Sequence, residues 1–327
     1  MKKKILLVLG VVILLVLGGC TSDGKDPKKG SFKLDGSFNG GNKALVFEFG
    51  DDTPPSRVFD GGRQPFNIRL LVENLGEFDL VEGAGHVSLS GFNPQDFGVT
   101  EVSKALPALR AVKKQGDNVI PGGKQTVIFS GLKYMEELPS GVHTQTMYAN
   151  LCYPYETKSL ISVCINGDTL QAYDSDGEIC QINEKKAFAN SGAPVVIENV
   201  EEYSAGSTAV QIKFDIVHKA SSSEGRIYRS GSLDTNCKIR GNGITSTEAV
   251  LDENYVTYTV DSGIAGINCE STGTNSNTVL LSNNKATVYC TQDTSGQEEY
   301  EKPVTVTLNY DYFDRKPVTI QIEHISN

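Results

Sequence analysis

Cysteines are the residues whose type and spacing most clearly indicate chemistry in this 327-residue chain. Seven are present, and apart from Cys20 they form an even set of Cys152, Cys164, Cys180, Cys237, Cys269 and Cys290. None belongs to a C-x-x-C pair, and the four histidines, His86, His143, His218 and His324, are widely spaced, which argues against a zinc site. The pattern predicts structural disulfides in an oxidising compartment, with no metal and no cofactor.

The spacing of the six cysteines also suggests how they pair. A hairpin turn at residues 156–159 would place Cys152 nearly opposite Cys164 on adjacent strands, within disulfide reach. Each half of the chain holds three of them, so complete pairing requires an odd number of bridges between the halves, and one is the simplest solution. Among the fifteen possible pairings, the predicted bridges are Cys152–Cys164, Cys269–Cys290 and Cys180–Cys237.

Cys20 stands apart from this set, at the end of an apolar leader. Lys2, Lys3 and Lys4 precede the apolar run 5–17, and the leader ends in Leu-Gly-Gly-Cys. This ending resembles the lipobox of prokaryotic lipoproteins, which implies that residues 1–19 are a signal peptide and that Cys20 is lipidated. The alternative is an uncleaved transmembrane anchor, although residues 5–19 are fewer than the roughly 20 needed to cross a bilayer. Both interpretations place the rest of the chain outside the cell, on the membrane.

Charge excludes one class of partner. Removal of the three leader lysines reduces 30 basic residues to 27 against 40 acidic residues, so the mature chain carries a net charge near −13. Phosphate recognition needs clustered Lys and Arg, and no nucleic-acid role is therefore expected. An acidic surface is typical of a soluble body held off anionic headgroups.

Past residue 42 the hydrophobic pattern has the period of β-strands. PFNIRLLVEN alternates Phe66, Ile68, Leu70 and Val72 with outward-facing residues, and AVQIKFDIVH and VTVTLNYDY repeat the pattern. The helix-like stretch 102–112 is interrupted by Pro107. The chain is therefore expected to be all-β and built from antiparallel sandwiches.

Composition shifts predict the organisation of the chain. Residues 20–42 hold five glycines and no periodicity, which indicates a flexible tether after the lipidated cysteine. Residues 183–192 are charged and then small, which indicates a linker between two units. The expected parts are a signal peptide 1–19, Cys20 and tether 20–42, a first β-sandwich 43–182, a linker 183–192 and a second β-sandwich 193–327.

Residues 43–165 carry a family resemblance. The order of VSLSGFNP, VIPGGKQTVIFSGL and the closing YANLCYPYETKSLISVCI resembles immunoglobulin-like and CARDB-like adhesion modules of archaeal and some bacterial cell surfaces. The cysteine-flanked Tyr-Pro-Tyr-Glu-Thr segment is similar to that of archaeal surface lipoproteins. The resemblance implies two tandem immunoglobulin-like β-sandwiches, with 193–327 the less distinct, and it implies function only weakly because one fold serves many functions.

Other candidate sites are weaker. The chain contains no G-x-S-x-G, no H-E-x-x-H and no phosphate-binding loop. Asp174, Asp176 and Glu178 lack the spacing of a helical calcium loop and are expected to be a solvated turn, with a weak calcium site as the alternative. The tyrosines 148, 153, 155, 310 and 312 are expected in the core, because four of them occupy alternating strand positions.

The expected function is a non-enzymatic, membrane-anchored surface lipoprotein with a structural or adhesive role in the cell envelope. It would bind another protein or a surface polymer through loops or an exposed strand edge. The alternative is a ligand-capturing lipoprotein that partners a transporter. An envelope hydrolase is a third class, which would require one of the four histidines to meet a carboxylate in a deep pocket.

Overall fold

Strand formation follows the alternation of apolar residues. The computed structural model describes residues 34, 36–170, 179–219, 225–240, 252–271 and 277–325. In these residues the only helical element is a 3₁₀ turn at Pro94–Phe97, and the chain is essentially all-β. Phe66, Ile68, Leu70 and Val72 are all buried, as the sequence predicts.

The strands of the first part of the chain are β1 (Leu45–Phe49), β2 (Arg57–Phe59), β3 (Phe66–Asn74), β4 (His86–Ser90), β5 (Ser103–Ala105), β6 (Lys113–Gln115), β7 (Asn118–Ile120), β8 (Lys124–Leu132) and β9 (Val142–Ile165). Those that follow are β10 (Glu184–Lys185), β11 (Phe188–Asn190), β12 (Val195–Ser204), β13 (Ala209–His218), β14 (Arg226–Tyr228), β15 (Tyr255–Asp261), β16 (Ile267–Ser271), β17 (Thr278–Leu280), β18 (Lys285–Asp293) and β19 (Tyr300–Glu323).

These strands form several sheets that share one hydrophobic core. A three-stranded sheet has the order β1-β3-β8, and a five-stranded sheet has the order β10-β12-β13-β18-β16. A nine-stranded sheet has the path β17-β15-β19-β9-β4-β5, with β11 paired to β9 and with β14 and β2 paired to β19. All pairs are antiparallel except β2 with β19, and β6 and β7 form a separate hairpin. The arrangement is sandwich-like.

Strands β9 and β19 are the two longest strands in the described part of the chain. Each has 24 residues, and they pair along their whole length, from Val142 opposite Glu323 to Ile165 opposite Tyr300. At about 3.3 Å per residue this ribbon is about 80 Å long. Strands from both sides of the predicted linker 183–192 join it, and the linker itself contains β10 and β11. The division into domains 43–182 and 193–327 stays a prediction.

Four tyrosines mark the middle of this ribbon. Tyr153 lies opposite Tyr312, and Tyr155 lies opposite Tyr310, with ring centroids 5.7 and 5.9 Å apart. All four are buried, which confirms their predicted core position. We call this level of the ribbon the tyrosine waist. The hydroxyl of Tyr155 donates to the carbonyl oxygen of Gly192 at 2.6 Å.

All six cysteines outside the leader form disulfides. The bridges are Cys152–Cys237, Cys164–Cys180 and Cys269–Cys290. The predicted Cys269–Cys290 pair is confirmed, since these residues lie opposite each other on β16 and β18. One bridge joins the two halves, as expected, but it is Cys152–Cys237.

The predicted Cys152–Cys164 and Cys180–Cys237 bridges are wrong. The expected turn at 156–159 does not form, because β9 continues through it as a partner of β19. Cys152 and Cys164 therefore lie twelve residues apart along one strand, roughly 40 Å at the rise of a β-strand.

The end of the predicted flexible tether is held by the fold. The carboxylate of Glu77 accepts hydrogen bonds from the backbone N–H groups of Asn39 at 2.9 Å and Gly40 at 2.8 Å. The same carboxylate accepts from the N–H of Gly192 at 2.6 Å, beside the tyrosine waist. Residues 39 and 40, at the end of the predicted tether, are therefore held by the fold.

Candidate functional site

Strand β1 is the outermost strand of the three-stranded sheet. Its neighbour β3 pairs with it from Leu45 opposite Asn74 to Phe49 opposite Leu70. Both backbone groups of Leu45 point away from β3, since its N–H donates to the Tyr153 hydroxyl at 3.1 Å and its carbonyl accepts from it at 3.2 Å. Because backbone groups alternate in direction along a strand, those of Phe47 and Phe49 also point outward.

A cleft of about 620 Å³ runs along this edge. Residues 42–48 form one wall with their backbone and side chains. The other lining residues come from β3 and its end, from the two chain segments flanking β12 and β13, and from β19: Leu71, Glu73, Leu75, Pro194, Lys219, Tyr312, Asp314, Arg315 and Lys316. The volume lies in the range of ligand pockets.

The charges around the cleft are mixed. Four cationic residues line it, Lys43, Lys219, Arg315 and Lys316, against the acids Glu48, Glu73 and Asp314. Glu73 pairs with Lys124 at 2.9 Å, and the ammonium of Lys316 lies 5.5 Å from the ring centroid of Phe47. Mixed charge beside an edge strand suits a peptide better than a single-sign ligand such as a polyanion.

Tyr153 of β9 holds the start of β1 through its hydroxyl group. Burial raises the pKa of its hydroxyl well above the ordinary value of 10.0. The hydroxyl therefore stays protonated and serves Leu45 as both donor and acceptor. This occupies the outward-facing backbone groups of Leu45, the first residue of β1.

A second, smaller hollow of about 390 Å³ surrounds the Cys152–Cys237 bridge. Burial raises the pKa of Asp311 and lowers the pKa of His86. The Asp311 carboxylate is occupied by backbone donors, since it accepts hydrogen bonds from the N–H groups of Gly231 at 3.1 Å and Leu233 at 3.0 Å. The arrangement stabilises the loop that carries Cys237.

The histidines do not converge on one place. His324 Nδ1 lies 2.8 Å from the carboxylate of Asp60, which is fully buried and also accepts from the N–H of Leu138. Neither cleft described above is lined by this pair. His143 is exposed and His218 is buried. The pair of His324 and Asp60 ties the end of β19 to the loop after β2.

Two predicted sites lie outside the described residues. These are Cys20, the predicted lipidation site, and the acidic cluster Asp174, Asp176 and Glu178. Within the residues that are described, no helix has the length and hydropathy needed to span a bilayer. The one cluster of metal-ligand types found there is Cys164, Cys180 and Glu299, and its sulfur atoms are joined in a disulfide.

The edge position of β1 is the functional feature that sequence reasoning missed. The sequence predicts a strand at 43–49, but strand order depends on contacts distant in sequence. No local sequence signal distinguishes an edge strand from an inner one here. No family model matches the chain, and comparison with curated proteins finds no match either.

Proposed function

We propose that this chain is an exported, lipid-anchored surface protein with a structural or adhesive role in the cell envelope and no enzymatic activity. It binds an extended segment of a partner protein, which adds as a strand to β1. The observation that carries the proposal is the edge position of β1 in its sheet, beside a cleft of about 620 Å³ that residues 42–48 line.

The anchor and the compartment have separate support. The leader that ends at Cys20 has the charge, length and small residues of a lipoprotein signal. Three disulfides favour an oxidising compartment such as the outer side of a membrane. With Cys20 lipidated, the β-rich body lies outside the cell and is held at the surface.

A peptide that binds by strand addition does not require an excess of one charge in the cleft. An added strand obtains affinity from main-chain hydrogen bonds, and specificity from alternate side chains that enter the cleft. The mixed charges of Glu48 and Lys316 would select among partner segments. Natural edge strands are liable to pair with another chain, so an edge strand beside a cleft is a candidate interface.

Photo-crosslinking in the native envelope tests this function. A photoreactive phenylalanine analogue replaces Glu48, which is exposed in the cleft, and in a control it replaces Leu280, which is 52% exposed on β17. We expect a protein adduct at position 48 that is absent at position 280. Addition of the identified partner should then slow hydrogen exchange at the amide of Phe49, which points away from β3 in a residue that is only half-buried. Identical adducts at both positions, or unchanged exchange at this amide, would refute strand addition.

A further inference from the structure

The β6–β7 hairpin is an exposed element outside the main sheets. Lys113 pairs with Ile120, and Lys114 pairs with Val119. Every residue of both strands is exposed, including Val119 at 51% and Ile120 at 38%. Two-stranded hairpins are marginal in water on their own. This one combines exposed aliphatic side chains with two lysines on the facing strand.

Contacts with the body hold the hairpin in place. Asp79 accepts from the N–H of Ala111 at 2.6 Å, and its other oxygen lies 3.5 Å from the ammonium of Lys113. The N–H of Val112 donates to the carbonyl of Gly76 at 2.8 Å. The base of the hairpin is therefore fixed next to the segment that carries Glu77.

The same place is where the tether meets the fold. The ammonium of Lys114 donates to the carbonyl oxygen of Phe38 at 3.4 Å, and Glu77 holds Asn39 and Gly40. From Leu34 to Cys20 the chain has 14 residues, which span at most about 50 Å. A lipid on Cys20 would thus keep the bilayer within reach of this side of the molecule, beside the tyrosine waist.

We propose that the β6–β7 hairpin is a second membrane contact, through which the protein rests on an anionic bilayer surface. The inference depends on the proposed lipid anchor. Val119 and Lys114 enter the headgroup region from one face of the hairpin, and Ile120 and Lys113 enter it from the other. Asp117 at the turn and Asp79 at the base are the nearby acids of this segment. Aliphatic side chains and lysines at a bilayer surface add to the membrane affinity that a lipid anchor provides.

The absence of tryptophan from the chain makes a direct test available. Val119→Trp introduces a single tryptophan in the hairpin, and Leu280→Trp introduces one at a similarly exposed position on β17 as the matched control. Each full-length variant is expressed with its own leader and purified from detergent-solubilised membranes. It is then reconstituted in vesicles of phosphatidylcholine with phosphatidylglycerol, with or without brominated acyl chains.

We expect the emission of Val119→Trp to shift to shorter wavelength and to be quenched by brominated lipid, while that of Leu280→Trp does neither. Quenching should fall when phosphatidylglycerol is omitted or when Lys113 and Lys114 are both replaced by Gln. Equal quenching of the two tryptophans, or no quenching of either, would overturn the hairpin contact.

Intact-mass measurement of the same preparations distinguishes failure of the hairpin contact from failure of the proposed lipid anchor. A product that starts at a lipidated Cys20 but shows no quenching at position 119 retains the anchor and eliminates the hairpin contact. A full-length, unmodified product removes the lipid anchor and, with it, the premise of the hairpin contact.

Discussion

Glu202 provides the sharpest test of how burial sets the energetics of this fold. The residue lies on β12 and is fully buried. One carboxylate oxygen lies 2.8 Å from the ammonium of Lys186 and accepts from the N–H of Cys164 at 3.1 Å. In the described part of the chain the other oxygen, Oε1, is buried and has no hydrogen-bond partner. Burial therefore outweighs the attraction of Lys186 and raises the pKa of Glu202 to about 7.

The sign of the pH effect follows from this pKa. The ordinary value of 4.5 applies to the unfolded chain, so the folded protein binds the proton more tightly. The stabilisation is complete below pH 4.5 and is lost as the pH rises through about 7. The interval from 4.5 to about 7 corresponds to roughly 3 kcal/mol at about 1.4 kcal/mol for each pKa unit.

Substitution Glu202→Gln should remove this pH dependence. The amide is neutral at every pH, and Lys186 keeps Gln181 and Glu184 as partners. Urea unfolding followed by circular dichroism, with the disulfides intact, gives the free energy of unfolding below pH 4.5 and above pH 7. Between these limits we expect the wild type to lose roughly 3 kcal/mol relative to the variant.

Glu184→Gln is the matched control. The Glu184 carboxylate lies 3.1 Å from the same ammonium, but its side chain is 45% exposed. This variant should keep the wild-type pH dependence. If Glu202→Gln also keeps it, the burial of Glu202 does not control the stability of this region and the reasoning is refuted.

Three further predictions concern other parts of the fold. Burial lowers the pKa of His218 from 6.5 to about 4. The neutral imidazole therefore contributes stability above pH 6.5, and this contribution is lost as the pH falls through about 4. The free energy of unfolding of His218→Phe should be less sensitive to acid across this range. Replacement of Cys152 and Cys237 by Ser opens a closure of 85 residues and should cost about 4.5 kcal/mol in the chain-entropy account, measured by urea unfolding; an unchanged midpoint would contradict it. Glu77→Ala removes the acceptor for the N–H groups of Asn39 and Gly40, so limited proteolysis should cut there sooner than in the wild type, and equal rates would show that Glu77 does not hold the tether.

Local pattern was enough to predict the fold class and several strands. The alternation in β3 depends on one buried face, which the sequence shows directly. The Cys269–Cys290 bridge was predictable because both residues lie on neighbouring strands of the same half. The predicted core position of the waist tyrosines was correct for the same reason of periodicity.

Non-local pairing explains what the sequence did not predict. Residues 144–155 and 160–165 read as two strands joined by the polar segment ETKS, and that reading led to the wrong Cys152 pairing. Continuous hydrogen bonding to β19 overrides the local turn tendency, since strand preference depends on the neighbouring strand. The cleft at β1 was equally hidden, because edge status depends on the order of distant strands.

The pairing of β9 with β19 limits how the chain can be divided into separately expressed fragments. A polypeptide that ends before residue 193 would carry β9 without β19, and one that begins there would carry β19 without β9. Each would display an open row of backbone donors and acceptors about 80 Å long, which is a template for aggregation. A protease cut within 183–192, in contrast, would leave both pieces associated through the ribbon and through the Cys152–Cys237 bond.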